Sequence, residues 1–169
     1  MAGLSNLQLA REQIAAARNY TLSLLDGLDE EDWFRLPAGG VTHIAWQIGH
    51  LAMAEYGLCL FRIRGRRPED LELMPSKFRK QFSRGSTPAH EPDGYPPISE
   101  IRRVFDVIHD RAMEESAEFQ EDDLNEKIDE PHAVFDTKLG ALFFCAHHEM
   151  LHAGQIGLVR RLIGKPPVR

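Results

Sequence analysis

Two cysteines in 169 residues are too few for a disulfide framework, and neither belongs to a C-x-x-C pair. Cys59 and Cys145 lie inside apolar runs, where a buried, reduced and packed thiol is the expectation. Positive charge is also in deficit. Twenty Lys and Arg against 26 Asp and Glu leave a net charge of −6, which argues against a nucleic-acid binder driven by phosphate contacts. The basic clusters at residues 62–67 and at Arg160-Arg161 fall near expected helix C-termini and read as caps and surface. The two longest apolar stretches carry His, Gln and Glu, so neither suits a membrane span. The N-terminal stretch has Arg11 and Glu12 in its first turns and lacks the apolar core of a signal peptide. A cytoplasmic protein without a nucleic-acid or membrane partner is expected. No repeat or low-complexity tract occurs.

With 43% hydrophobic and 27% charged residues, the composition is that of an ordinary globular protein. Residues 1–169 are expected to form a single domain, large enough to bury roughly two-thirds of its unfolded surface. Ser5 and Gln8 have the form of a capping box, followed by Leu7, Ala10, Ile14, Ala17, Leu24 and Leu28 at helical spacing. The pattern predicts an amphipathic helix over 5–28, with Arg11, Glu12 and Arg18 on its wet side. A short capped turn carrying Trp33 follows. Thr42 is the expected cap of a second long helix, apolar nearly all round, running to Arg64 and closed by Gly65. Residues 66–97 make a long connection, with a short helix broken near Pro75 and Phe78, Phe82 and Tyr95 available to dock it. A third long helix is predicted over 99–119, its buried stripe Ile101, Phe105, Ile108 and Ala112, with the acidic residues from Glu114 to Asp123 solvated. The fourth runs over 137–163, capped by Thr137 or Asp136 and stopped by Gly164 and Pro166-Pro167. Four long helices with two long crossovers and no convincing strand predict an all-α four-helix bundle.

The fourth helix carries His148-Glu149-Met150-Leu151-His152. Imidazoles at i and i+4 share one helix face, about 5–6 Å apart at Cβ, a spacing from which both can ligate one metal ion. The five residues match the H-E-x-x-H pattern of zinc proteases, in which the Glu is the general base. The 17 residues after His152 contain no His, Cys, Asp or Glu, so a third protein ligand must come from upstream, and the protease reading loses most of its weight. His50, in the middle of the apolar second helix, needs a partner there; a hydrogen bond to a neighbouring helix would serve, but beside the His148 and His152 pair a metal is the expectation. His50, His148 and His152 would then face one core as three neutral nitrogen donors, a number typical of a catalytic zinc site with an open position. Such a set suits zinc or nickel, and the affinity order leaves iron and copper open. Glu149, Gln155 (one turn beyond His152) and His43 are candidate catalytic helpers.

Ile48-Gly49-His50-Leu51-Ala52, together with His148-x-x-x-His152-x-Gly154-Gln155, resembles the DinB-like superfamily of metal-binding four-helix bundles. The stretches Phe82-Ser83-Arg84-Gly85-Ser86-Thr87-Pro88 and Arg160-Arg161-Leu162-Ile163-Gly164-Lys165-Pro166-Pro167 have a similar flavour. The resemblance implies an up-up-down-down topology with long crossover loops, frequently a homodimer, and a divalent metal held by His50, His148 and His152. Relatives include metal-dependent hydrolases and thiol-dependent transferases and isomerases that use mycothiol, bacillithiol or glutathione. A related domain in ergothioneine-type sulfoxide synthases binds iron with H-x-x-x-H-x-E, but this chain has Gly154 where that Glu would stand. The expected function is a metal-dependent hydrolase acting through metal-bound water on a small-molecule substrate. The alternatives are an S-transferase or isomerase using a low-molecular-weight thiol, and a non-catalytic metal-binding stress-response module. A fourth protein ligand would favour a structural metal; three ligands and water would favour catalysis.

Overall fold

Ser5 and Gln8 form the expected capping box: the Gln8 N–H donates to Ser5 Oγ at 3.3 Å and the Ser5 N–H to Gln8 Oε1 at 2.9 Å. They open α1 (Asn6–Ser23), which ends earlier than its apolar pattern suggests because the chain turns through Gly27 at φ +69°. The computed structural model describes residues 3–89, 92–130 and 132–168, so that His90 and Glu91 of one crossover and Pro131 of the other lie outside the described residues. The short α2 (Glu30–Phe34) buries Trp33. Next come α3 (Ile44–Glu55), a π-helical turn (Tyr56–Phe61) and α4 (Arg62–Arg64), a continuous helical segment closed by Gly65 at φ +78°. The long connection holds two short helices, α5 (Asp70–Leu73) and α6 (Ser76–Phe82), separated at Pro75 as expected. Then follow α7 (Ile98–Ser116) and α8 (Lys138–Leu162). Among the described residues there is no strand, only an isolated bridge between Lys127 and Thr137. No described helix is long and apolar enough to cross a membrane.

Packing follows the apolar stripes. The α1 helix lies along α8, and α3 lies between α7 and α8. Ala10, Ile14 and Ala17 of α1, Ile44, Ile48 and Leu51 of α3, Ile101, Phe105 and Ile108 of α7, and Ala153 and Ile156 of α8 are all buried in one core. Phe78 and Phe82 of α6 dock against it, Phe82 with none of its surface exposed. Thr137 caps α8, accepting from the Gly140 N–H at 3.1 Å. Thr42 does not cap α3. His43 does, its Nδ1 accepting from the Trp46 N–H at 3.1 Å.

Two arginines expected at the surface are buried. Arg18 points into the core, donating through Nη2 to Glu55 at 2.5 Å, through Nε to Glu149 at 3.0 Å and through Nη1 to the Phe105 carbonyl at 2.9 Å. His109 contacts the other Glu55 oxygen at 2.8 Å. The apolar period of α1 does not distinguish a wet arginine from one whose charge is neutralised across the core. Arg160 is also buried, its Nη1 donating to the Leu24 and Asp26 carbonyls at the end of α1. Glu115, expected among the solvated acids, instead joins Asp70 in holding Arg64 at 2.7 to 3.1 Å.

The Arg18 and Arg64 clusters are testable. Replacing Arg18 with Leu strands two buried carboxylates, and a loss of about 3–5 kcal/mol is expected by urea unfolding at pH 7. Burial would raise the pKa of Asp70, but Arg64, the Arg67 N–H and the Tyr56 hydroxyl outweigh it and hold the group down at about 2. The unfolded chain therefore takes up this proton first as the pH falls. Asp70→Asn should cost roughly 2 kcal/mol at pH 7, with the gap from wild type closing as the pH falls from about 4 to 2.

A candidate metal centre between α3 and α8

Positions 148 and 152, one turn apart on α8, face His50 of α3. The His148 and His152 rings lie 4.5 Å apart between centroids, and the His50 ring lies 5.4 Å from His148 and 4.8 Å from His152. One ring nitrogen from each falls within 4.8 Å of the others, close enough for all three to be shared by one metal ion. No fourth His, Cys, Asp or Glu joins this cluster among the described residues.

The donor chemistry fits a metal. A carbonyl oxygen only accepts, so the 2.8 Å contact of His50 Nδ1 with the Phe82 carbonyl fixes the Nδ1–H tautomer and leaves the lone pair on Nε2. His152 Nδ1 is held by the Gln47 side-chain oxygen. Gln47 is itself oriented by donating to Gln155 Oε1 at 2.8 Å and to Thr42 Oγ1 at 3.0 Å. Metal-binding histidines characteristically donate their other ring N–H to such acceptors, which orients the ring and raises its basicity. Trp46 stacks on His50 at 4.7 Å with an 8° tilt, completing the ring's confinement. Burial lowers the pKa of all three imidazoles, and their mutual proximity adds to the effect at His148 and His152, pushed down to about 4 and about 3. They are neutral donors at neutral pH.

The other three sequence candidates stand apart from the triad's centre. His43 is fully buried at the start of α3, between Phe34 and Tyr95, with ring centroids 5.4 Å from each. Glu149 turns into the core toward Arg18; burial raises its pKa, and the nearby Glu55 adds to this. Gln155 supports the triad at one remove, through Gln47. Neither Gln47 nor the Phe82 carbonyl is among the site candidates read from the sequence. Gln47 could have been suspected as a polar side chain one turn before His50 on a buried helix. A backbone carbonyl has no signature in the sequence at all.

A cavity of about 510 Å³ opens beside His50 and His148, walled by Trp46, Met53, Leu58 and Phe144. Its rim is the loop after α6, where Ser86 Oγ accepts from Trp46 Nε1 at 2.9 Å. Gly49 lets the end of α6 approach: a Cβ there would lie 2.5 Å from Phe82 Cγ and Cε1. Gly49→Ala should therefore displace Phe82 and cost about 1–3 kcal/mol in stability. Gln47→Leu, which removes the acceptor for His152, should weaken zinc binding about 10–100-fold in a chelator-competition titration.

No curated protein matches the chain at a significant level. A family model described as the DinB superfamily matches residues 13–156, a span that holds all three histidines and both supporting residues, Gln47 and Phe82. The chain belongs to the DinB superfamily.

Proposed function

We propose that this protein is a metal-dependent enzyme, a hydrolase in the first instance, acting on a small molecule held in the cavity beside the histidine triad. One observation carries the reading: three neutral imidazoles converge, two of them, His50 and His148, at the wall of a cavity, with no fourth protein ligand among the described residues. A divalent ion such as zinc or nickel, bound by His50, His148 and His152, would supply Lewis-acid activation of water at neutral pH. The chain's own contribution is positional. Phe82 and Gln47 hold two of the rings in the ligating tautomer, and Trp46, Met53, Leu58 and Phe144 give the substrate an apolar wall to pack against. Glu149 is tied to Arg18 in the core, so proton transfer at the triad is left to solvent or to the substrate itself.

A second reading, transfer or isomerisation with a low-molecular-weight thiol, draws support from the size of the cavity. About 510 Å³ accommodates a cosubstrate as well as a small electrophile. In the same reading the long helices follow the up-up-down-down order of a four-helix bundle. The outer face of α8, with Leu151, Leu158 and Leu162 exposed, pairs with a second copy.

Metal analysis of protein purified without added metal or chelator tests the proposal. About one divalent ion per chain is expected, and its loss in folded His50→Ala and His152→Ala variants. Chelator-sensitive cleavage in an ester and amide panel would establish the hydrolase; thiol consumption without cleavage would select the transferase. A wild-type protein that takes up neither zinc nor nickel on soaking would overturn both.

A further inference from the structure

The helical segment from His50 to Arg64 is not regular, and its irregularity sits between the triad and an arginine. In the π-helical turn Tyr56–Phe61 the Arg62 N–H donates to the Gly57 carbonyl, five residues back. One extra residue per turn rotates everything beyond it. A regular helix would carry the stripe of Trp46, His50 and Gly57 on to Phe61; the π turn puts Arg62 there and leaves Phe61 partly exposed. Single π turns inside α-helices are frequent at functional sites. The Arg62 side chain folds back along the helix, so that a Cβ at Gly57 would lie 3.8 Å from Nη1. Gly57 is seven residues beyond His50, which places the guanidinium about 10 Å along the axis from the triad.

Arg62 and Arg84, the latter on the loop after α6, both line the 510 Å³ cavity. His132 joins them; its Nδ1 accepts from the Val134 N–H at 3.3 Å, which leaves its Nε2–H as a donor. Among the described residues no Asp or Glu lines this cavity, although the chain as a whole carries a charge of −6. Among the same residues, neither the Arg62 nor the Arg84 side chain enters a hydrogen bond or ion pair, and Arg62 Nε is buried without a partner. Arg62 also borders a second cavity containing Glu126, Asp129 and Glu130, but Glu126 is paired with Lys138. A guanidinium is always charged and presents its donors in a fixed fork, so a buried edge without an acceptor is costly unless a ligand supplies one.

We infer that Arg62, with Arg84 and His132, forms an anion subsite in the cavity. The substrate or cosubstrate then carries a carboxylate or phosphate about 10 Å from the triad, with an apolar span between the two ends. The inference rests on the reading of this cavity as the active site, but its test requires no metal.

Calorimetric titration with hexanoate, hexyl phosphate and hexanamide separates charge from chain length. The two anions should bind at least about tenfold more tightly than the amide, and the stronger of the two identifies the group the subsite is built for. Arg62→Gln should reduce the anions to the level of the amide and leave the amide unchanged, with the fold checked by circular dichroism. Arg84→Gln, on an exposed loop, should weaken the anions without affecting the fold. Equal binding of all three probes by the wild type, no binding of any at millimolar concentration, or an anion advantage that survives in folded Arg62→Gln would each overturn the subsite. A protein that fails to bind metal yet shows the anion preference would overturn the proposed chemistry and leave the subsite standing.

Discussion

Phe82 lies against the backbone of Gly49 more closely than any Cβ would permit, and the carbonyl of the same residue takes the Nδ1 proton of His50. The rest of the site depends on this contact. It brings α6 onto α3 and fixes which nitrogen of His50 faces α8. It also positions the following loop, whose Ser86 closes over Trp46. The small residue and the histidine are neighbours in the chain, so close approach at one is coupled to orientation at the other. A bulkier residue at 49 would disturb both packing and ligand geometry.

Two polar networks meet at α8, and only one of them carries charge. In one, Arg18 neutralises Glu55 and Glu149 across the core, with His109 as a further partner of Glu55. In the other, the triad is served by neutral groups only: a backbone carbonyl and the amide of Gln47, itself anchored by Gln155 and Thr42. Glu149 and His148 are adjacent in sequence, but successive residues on a helix point about 100° apart, and this separates them into different networks. The consequence is chemical. The imidazoles keep their lone pairs at neutral pH, and no carboxylate completes their coordination among the described residues.

The π turn extends the same logic along α3. A helix of uniform pitch would place the aromatic ring of Phe61 beside the cavity and send Arg62 elsewhere; one added residue exchanges them. The first half of the segment thus presents a metal ligand and the second half a cation to the same space, with Gly57 leaving room between.

Periodicity and capping chemistry determined the four long helices, the break at Pro75, the start of α8 at Thr137 or Asp136 and the stop at Gly164, because these depend on residues within a few positions of one another. The i, i+4 histidine pair was legible for the same reason, and His50 because an imidazole in an apolar helix demands a partner. What lay beyond the sequence involves distant parts of the chain. The burial of Arg18 and Arg160, the cap supplied by His43 in place of Thr42, and the roles of Gln47 and the Phe82 carbonyl depend on which groups meet across the core. Hydrogen bonds to backbone atoms leave no mark on residue type. The register shift at Gly57 is invisible to any reading that assumes 3.6 residues per turn. The chain's local patterns therefore determined the helices and the three histidines, whereas only tertiary packing decided their tautomers, the company they keep and the charge that faces them, since each of these is a contact between residues far apart in sequence.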